Sequence, residues 1–167
     1  AKPGAYQIGF KFYDLLVDHF DGGIEFNHAK LNAYLHPNKR YNYAHYNLPL
    51  AHPLVNGFNE LTANLSYQHN RFFVQNRLTY SERIKHDSLA IGNDILLGAS
   101  SLENTNNRSN FVIYNHFEMG YRFNKRNNLQ IFVGHLYRNE TQPTNNPLTN
   151  YTYVGVRTRF KNKYLDY

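Results

Sequence analysis

The chain has 167 residues, a net charge of +6 and a mean hydropathy of −0.66. Its Lys and Arg residues are scattered and form no basic helix or stripe, so the charge does not indicate nucleic-acid binding. No apolar run approaches the roughly 20 residues that a membrane-spanning helix requires, whereas a transmembrane β-barrel remains compatible with low mean hydropathy because only alternate strand residues face lipid.

The N-terminal part predicts two strands. From Tyr6 to Tyr13, apolar and polar residues alternate, which is the period of a strand with two different faces. A turn region is predicted over residues 14–23, and a second strand from Ile24 to Tyr34. The alternation of this second strand slips near His28 and Ala29, so we expect a β-bulge there.

Residues 36–57 differ in character from the predicted strands. Their three prolines do not permit a continuous strand ladder, and their aromatic residues argue against disorder. We predict a structured, packed loop. The alternation then returns in two further strands, from Phe58 to His69 and from Phe72 to Glu82, joined by a tight turn at residues 70–71. A long connection is predicted over residues 83–109.

The longest alternating stretch of the chain is a predicted hairpin over residues 110–137. Every second residue from Phe111 to Phe123 is apolar or aromatic except Asn115, and at about 3.3 Å per residue this strand would reach about 40 Å. That exceeds the usual length of a strand in a globular protein. A polar turn at residues 124–127 leads into the returning strand. A loop over residues 139–150 and a last strand from Tyr151 to Phe160 complete the prediction.

Short and long connections alternate along the chain, as they do in outer-membrane barrels. We therefore predict an all-β fold: an antiparallel transmembrane outer-membrane β-barrel with about 7–8 strands in residues 1–167, taken as one domain. The long loops 36–57, 83–109 and 139–150 would be external and the C-terminus periplasmic. Barrels of this class have even strand numbers, so either one strand of a single barrel escapes the pattern or the chain is the C-terminal segment of a larger barrel, which we favour. The absence of a signal peptide agrees with a mature or partial chain.

Charged residues fall on the face of these strands that would line the barrel lumen. A polar pore is one interpretation, and charges that pair across strands and plug the barrel are the one we favour. The predicted lumen charges are Lys11, Arg77, Glu118, Arg122, Arg157 and Arg159.

The external loop over residues 36–57 contains the most distinctive stretch of the sequence. We predict a rigid loop that packs into or over the barrel, or that contacts a partner or glycan, because Tyr and Pro supply contact area at low entropic cost. The candidate binding residues are His45, Tyr46, Asn47, Pro49, His52 and Pro53. Together with His36 they lack the ligand spacing typical of a metal site, so no metal is predicted.

An enzyme is the third class that the sequence raises, since some outer-membrane barrels are proteases, phospholipases or lipid A deacylases. The run His86-Asp87-Ser88 lies in a predicted external loop. Three adjacent residues rarely converge as a catalytic triad does, because a triad is assembled in space. We therefore predict no catalytic residue, no cofactor and no enzymatic activity.

Several stretches together resemble the C-terminal portion of Wzi-like capsule-assembly barrels, in particular the RemB-type gliding-motility proteins. They are residues 6–13, Ile24-Glu25-Phe26-Asn27, the loop stretch 43–53 and Gly92-Asn93-Asp94, in that order. The chain departs from the family pattern at residues 55–57. The resemblance implies a large outer-membrane barrel of a Gram-negative bacterium, connected with surface polysaccharide or motility adhesins.

The expected function is therefore that of a non-enzymatic outer-membrane β-barrel in surface-polysaccharide or capsule attachment, gliding motility, or a larger secretion or assembly complex. Expected partners are outer-membrane lipid and lipopolysaccharide, with surface polysaccharide and other outer-membrane complex subunits as further candidates. Two alternatives stay open: an outer-membrane pore for small substrates, and a soluble β-barrel that binds a ligand.

Overall fold

The computed structural model describes residues 4–31, 33–46, 48–86, 107–124, 128–141 and 146–158. These ranges contain strands β1 (Ala5–Phe12), β2 (Phe20–Ala29), β3 (Ala44–His45), β4 (Leu48–Pro49), β5 (Phe58–His69), β6 (Phe72–His86), β7 (Asn107–Asn124), β8 (Leu129–Thr141) and β9 (Leu148–Arg157), and one 3-10 turn, Lys39–Tyr41. No helix in the described ranges has the length and apolar content that crossing a membrane requires.

Seven of the strands form one antiparallel sheet in the order β1-β2-β5-β6-β7-β8-β9. The strands β3 and β4 form a separate hairpin of two residues each. The prediction of an all-β antiparallel fold is confirmed. Within the described residues, however, β1 and β9 each pair with one neighbour only, so the sheet is open and does not close as a barrel.

The cross-strand register gives the sheet two chemically different faces. Residues that pair directly point to the same side, so each row across the strands belongs to one face. A row of the apolar face reads Phe10, Ile24, Ala63, Leu78, Asn115, Tyr137. The next row, on the polar face, reads Lys11, Gly23, Asn64, Arg77, His116, Leu136.

Burial on these two faces is inverted relative to a water-soluble protein. On the apolar face, large side chains from every strand of the sheet are exposed, among them Ile8, Phe10, Ile24, Leu61, Phe72, Leu78, Met119, Ile131, Val154 and Val156. The polar face instead holds the buried polar residues of the sheet, namely Asn27, Thr62, Ser81, Arg83, Asn110, Glu118, Gln130 and Glu140. Soluble domains bury the apolar face of a sheet, so this arrangement requires a partner for the apolar side.

The sheet curls toward its polar face. Asp21 on β2 and Arg157 on β9 line the same cavity of about 540 Å³, although four strands separate β2 from β9. A second cavity of about 540 Å³ extends along this face to Lys11 and Tyr13 on the first hairpin. The polar face is therefore concave, and the exposed apolar side chains lie on the convex side.

The strand bounds correct several sequence-based predictions. The second strand begins at Phe20 and ends at Ala29, and its ladders with β1 and β5 run without the bulge expected near His28. The sequence suggested a change of phase because Ala29 is apolar. In the structure Ala29 is buried on the polar face together with Asn27, so the strand keeps one phase throughout. The last strand is Leu148–Arg157, earlier than predicted.

Two predicted loops are shorter than expected. Residues 83–86 and 107–109 continue β6 and β7, because Arg83 pairs with Asn110 and His86 pairs with Asn107. Residues 139–141 and 148–150 likewise belong to β8 and β9, with Asn139 paired to Leu148. The extensions were missed because their residues are polar and break the apolar alternation. Strands pair through backbone hydrogen bonds, which polar residues form as well as apolar ones.

Candidate functional site

Five of the six charges predicted to share one face do so. Lys11, Arg77, Glu118, Arg122 and Arg157 all lie on the polar face, and Arg159 lies outside the described residues. Glu118 is buried, whereas Lys11 and Arg77 are exposed. Among the described residues of this set, Glu118 and Arg157 form an ion pair, with Arg157 Nη2 at 3.3 Å from Glu118 Oε2.

Glu118 is the centre of a hydrogen-bonded group that spans β7 to β9. The hydroxyl of Tyr153 donates to Glu118 Oε1 at 2.8 Å. Because the hydroxyl proton is donated to Glu118, the Tyr153 oxygen acts as the acceptor for the N–H at Nε2 of His116, 2.6 Å away. The guanidinium of Arg157 lies 4.6 Å from the centre of the Phe132 ring and completes the group.

A glycine explains how Tyr153 reaches across a strand to Glu118. In the register, Tyr153 pairs with Gly134, and Gly134 pairs with Glu118. A Cβ on Gly134 would overlap the Tyr153 ring. The ring therefore lies over the position where any other residue has a side chain, and its hydroxyl arrives at the carboxylate.

The adjacent row of the polar face repeats this arrangement. Phe73, Gly120, Phe132 and Gly155 are successive partners across β6 to β9. The Phe132 ring lies over Gly155, 2.5 Å from the point where a Cβ would stand, and the Phe73 ring lies 2.7 Å from the same point on Gly120. Rings that cover glycines shield the backbone of the sheet and pack the polar face without a second layer.

Replacing Gly120 with alanine is expected to destabilise the sheet by about 1–3 kcal/mol. A Cβ there would overlap the carbonyl oxygen of Ile131 as well as the Phe73 ring, and a backbone atom cannot move aside as a side chain can. The free energy of unfolding, followed by urea titration of the purified protein, measures the effect.

The matched control is alanine at Gly9, on the same face, where the nearest atom would lie at an ordinary contact distance of 3.5 Å. That variant should unfold within about 0.5 kcal/mol of the parent. Equal stability of the two variants would contradict the close packing at Gly120.

His52 joins the loop between β2 and β5 to the polar face. Its Nδ1 accepts the backbone N–H of Leu54 at 3.2 Å, so the proton lies on Nε2, which donates to Glu60 Oε1 at 3.1 Å. The imidazole also stacks on the Phe58 ring, with centroids 4.4 Å apart. These contacts attach this part of the loop to the end of the sheet where β5 begins.

Glu60 belongs to a chain of polar contacts at this end of the sheet. The amide of Asn27 donates to Glu60 at 3.2 Å and to Glu25 at 2.8 Å. Glu60 is the third residue of β5 and lies on the same face as Phe58.

The other predicted binding residues of the loop do not join His52. His45 and Tyr46 are exposed on the β3–β4 hairpin, with ring centroids 4.3 Å apart. Pro49 pairs with Ala44 in that hairpin, and Pro53 is exposed. Asn47 lies outside the described residues. Of the predicted set, His52 therefore contacts the sheet, whereas His45 and Tyr46 are exposed to solvent on a separate hairpin.

A cleft in the same loop was not predicted from the sequence. We call it the aromatic cleft; it has a volume of about 480 Å³ and is lined by Ala33, Tyr34, Leu35, His36, Tyr41 and Tyr43. The signal that could have indicated it is the absence of aspartate and glutamate from residues 26–59, a stretch rich in tyrosine.

Metal and catalytic candidates gain no support from the geometry. In the part of the chain that the structure describes, no three His, Asp or Glu side chains are grouped as ligands of one metal ion. His86 ends β6, and Asp87 and Ser88 lie outside the described residues.

Comparison with protein-family models, curated proteins and solved structures finds no match to this chain.

Proposed function

We propose that this chain forms part of the wall of a non-enzymatic outer-membrane β-barrel, with its apolar face toward lipid and its polar face toward the lumen. The single observation that carries the proposal is the inverted burial of the sheet. Met119 and Ile131 are 47% and 41% exposed on the apolar face, while Glu118 and Gln130 are each 8% exposed on the polar face. A hydrocarbon environment is the one in which this distribution is favourable.

The open edges of the sheet support a larger barrel. Exposure rises toward the edges, to 68% at Ile8 on β1 and 72% at Val154 on β9. In a sequential antiparallel sheet of seven strands, the first and last strands run in the same direction. They cannot pair with each other in an antiparallel ladder, so closure requires an odd number of further strands, and an even total results.

The lumen in this proposal is occupied rather than empty. The Glu118 group and the glycine-covering rings pack against the polar face across β6 to β9, and His52 holds the loop over one end of it. This favours a scaffold over an open channel. With the resemblance to Wzi-like and RemB-type barrels, we place the protein in surface-polysaccharide or capsule attachment, gliding motility, or a larger assembly complex of the outer membrane.

A pore for small substrates is the second candidate, favoured by the two cavities of about 540 Å³ on the polar face. The two cavities share Asp21, Ser66 and Gln75 and are therefore adjacent on this face. Single-channel conductance in planar bilayers separates the candidates, since a plugged scaffold gives no steady conductance.

The test of the proposal is the intact mass of the natively purified protein and its gel migration with and without boiling. We expect extraction only with detergent, a heat-dependent shift in migration, and a mass above the 19.7 kDa of this chain. A shift at 19.7 kDa would indicate a small barrel that recruits its remaining strands from elsewhere. Recovery in the soluble fraction without a shift would refute the membrane proposal and favour a soluble ligand-binding sheet.

A further inference from the structure

The aromatic cleft presents tyrosine rings to solvent. Tyr41 and Tyr43 are 71% and 56% exposed, and the Tyr34 and Tyr43 rings lie with centroids 6.2 Å apart. The His36 ring meets Tyr41 edge-on at 5.3 Å. Exposed rings with a polar hydroxyl suit a ligand that combines an apolar surface with hydrogen-bonding groups.

The backbone holds this cleft in one shape. Tyr43 N–H donates to the Tyr34 carbonyl at 3.0 Å, and His36 N–H donates to Oδ1 of the buried Asn42 at 2.7 Å. Tyr34 N–H donates to Oδ1 of the fully buried Asn56 at 3.1 Å. Because the backbone of the cleft is fixed by these hydrogen bonds, binding would not require the loop to become ordered.

The segment that carries the cleft has a net positive charge. Between Glu25 and Glu60 the sequence has no aspartate or glutamate, while it contains Lys30, Lys39 and Arg40. All three cationic side chains are exposed, and Lys39 and Arg40 precede Tyr41 in the 3-10 turn. The charge of this surface is complementary to an anion.

We propose that the aromatic cleft binds an anionic sugar of the outer-leaflet glycolipid, lipopolysaccharide. The tyrosine rings would stack on the C–H face of the sugar, and Lys39 and Arg40 would pair with its phosphate or carboxylate. The inference rests on the proposed function, which makes this loop external. The segment joins the end of β2 at Ala29 to the start of β5 at Phe58. In the proposed orientation this is the external edge of the apolar face, where the headgroup of the glycolipid supplies an anionic sugar.

The experiment measures binding of the full chain in detergent to immobilised nanodiscs that contain lipopolysaccharide, with nanodiscs of neutral phospholipid as reference. Tyr41→Ala is expected to weaken binding about tenfold. Lys39→Ala and Arg40→Ala should each weaken it about fivefold and reduce its dependence on salt. Leu50→Ala is the matched control, since Leu50 is 55% exposed in the same loop but does not line the cleft, and it should bind as the parent does.

Three results would overturn the inference. Loss of binding on Tyr46→Ala with none on Tyr41→Ala would move the site to the β3–β4 hairpin. Binding of a soluble acidic oligosaccharide, oligogalacturonate, without binding to the glycolipid nanodiscs would identify a different source of the sugar. Equal binding by all variants would exclude the cleft. A heat-dependent gel shift in the same preparations shows that the barrel proposal stands even where this one fails.

Discussion

Replacing Met119 with arginine is expected to lower the free energy of unfolding in lipid by about 2–4 kcal/mol. Met119 lies on the apolar face of β7, five residues before the strand ends at Asn124, where it pairs with Val74 and Val133 and is 47% exposed. On a face that contacts hydrocarbon, the guanidinium either loses its hydration or requires water to enter the bilayer, and both cost free energy. Urea titration of protein folded into phospholipid vesicles, read from the gel shift, measures the loss.

The two controls separate charge from size and from position. Met119→Leu keeps an apolar side chain and should change stability by less than about 1.5 kcal/mol. Thr141→Arg places the same charge on the same face at the loop-side end of β8, where the cost near the membrane interface is about 0–1 kcal/mol. A neutral effect of arginine at Met119 would be the behaviour of a water-exposed side chain and would contradict a lipid contact.

Replacing Glu118 with alanine is the second large effect, and we expect a loss of about 3 kcal/mol. Glu118 is 8% exposed, and its carboxylate accepts hydrogen bonds from Tyr153 and Arg157. Removing it leaves a phenol and a guanidinium without their anion on the concave face. Because Arg157 is about half exposed and keeps access to water, the value lies at the lower end of the range for a buried pair.

Two further variants test whether the loss arises from the hydrogen-bonded group. Tyr153→Phe keeps the ring over Gly134 and removes only the hydroxyl, so it should cost about 1 kcal/mol. Gln75→Ala truncates the exposed neighbour that pairs with Glu118 across β6 and β7, and it should be nearly neutral. Equal losses at Gln75 and Glu118 would show that any truncation on this face is damaging.

Much of the candidate site followed from period-two alternation. The stretch from Phe111 to Phe123 was predicted as one long strand with one apolar side, and β7 is 18 residues long with that pattern. The same alternation placed Glu118 and Arg122 on the opposite face. It did not reveal strand ends, because Arg83 and Asn139 are polar residues that pair in ladders.

Contacts between strands were beyond sequence reasoning. Nothing local to Tyr153 indicates that Gly134 lies opposite it, or that Glu118 lies beyond that glycine. The contact arises from the registers of two separate ladders. His52 was grouped with His45 and Tyr46 by proximity in sequence, but the fold turns it inward to Glu60.

The sequence by itself determined that this chain is β-structured and two-faced, since side chains of a strand alternate whatever the strand pairs with. Only the tertiary structure decided which face is concave, that the sheet is open at β1 and β9, and that polar side chains are the buried ones. Alternation is a property of a single strand, whereas register, curvature and edges are properties of strands brought together from distant parts of the chain.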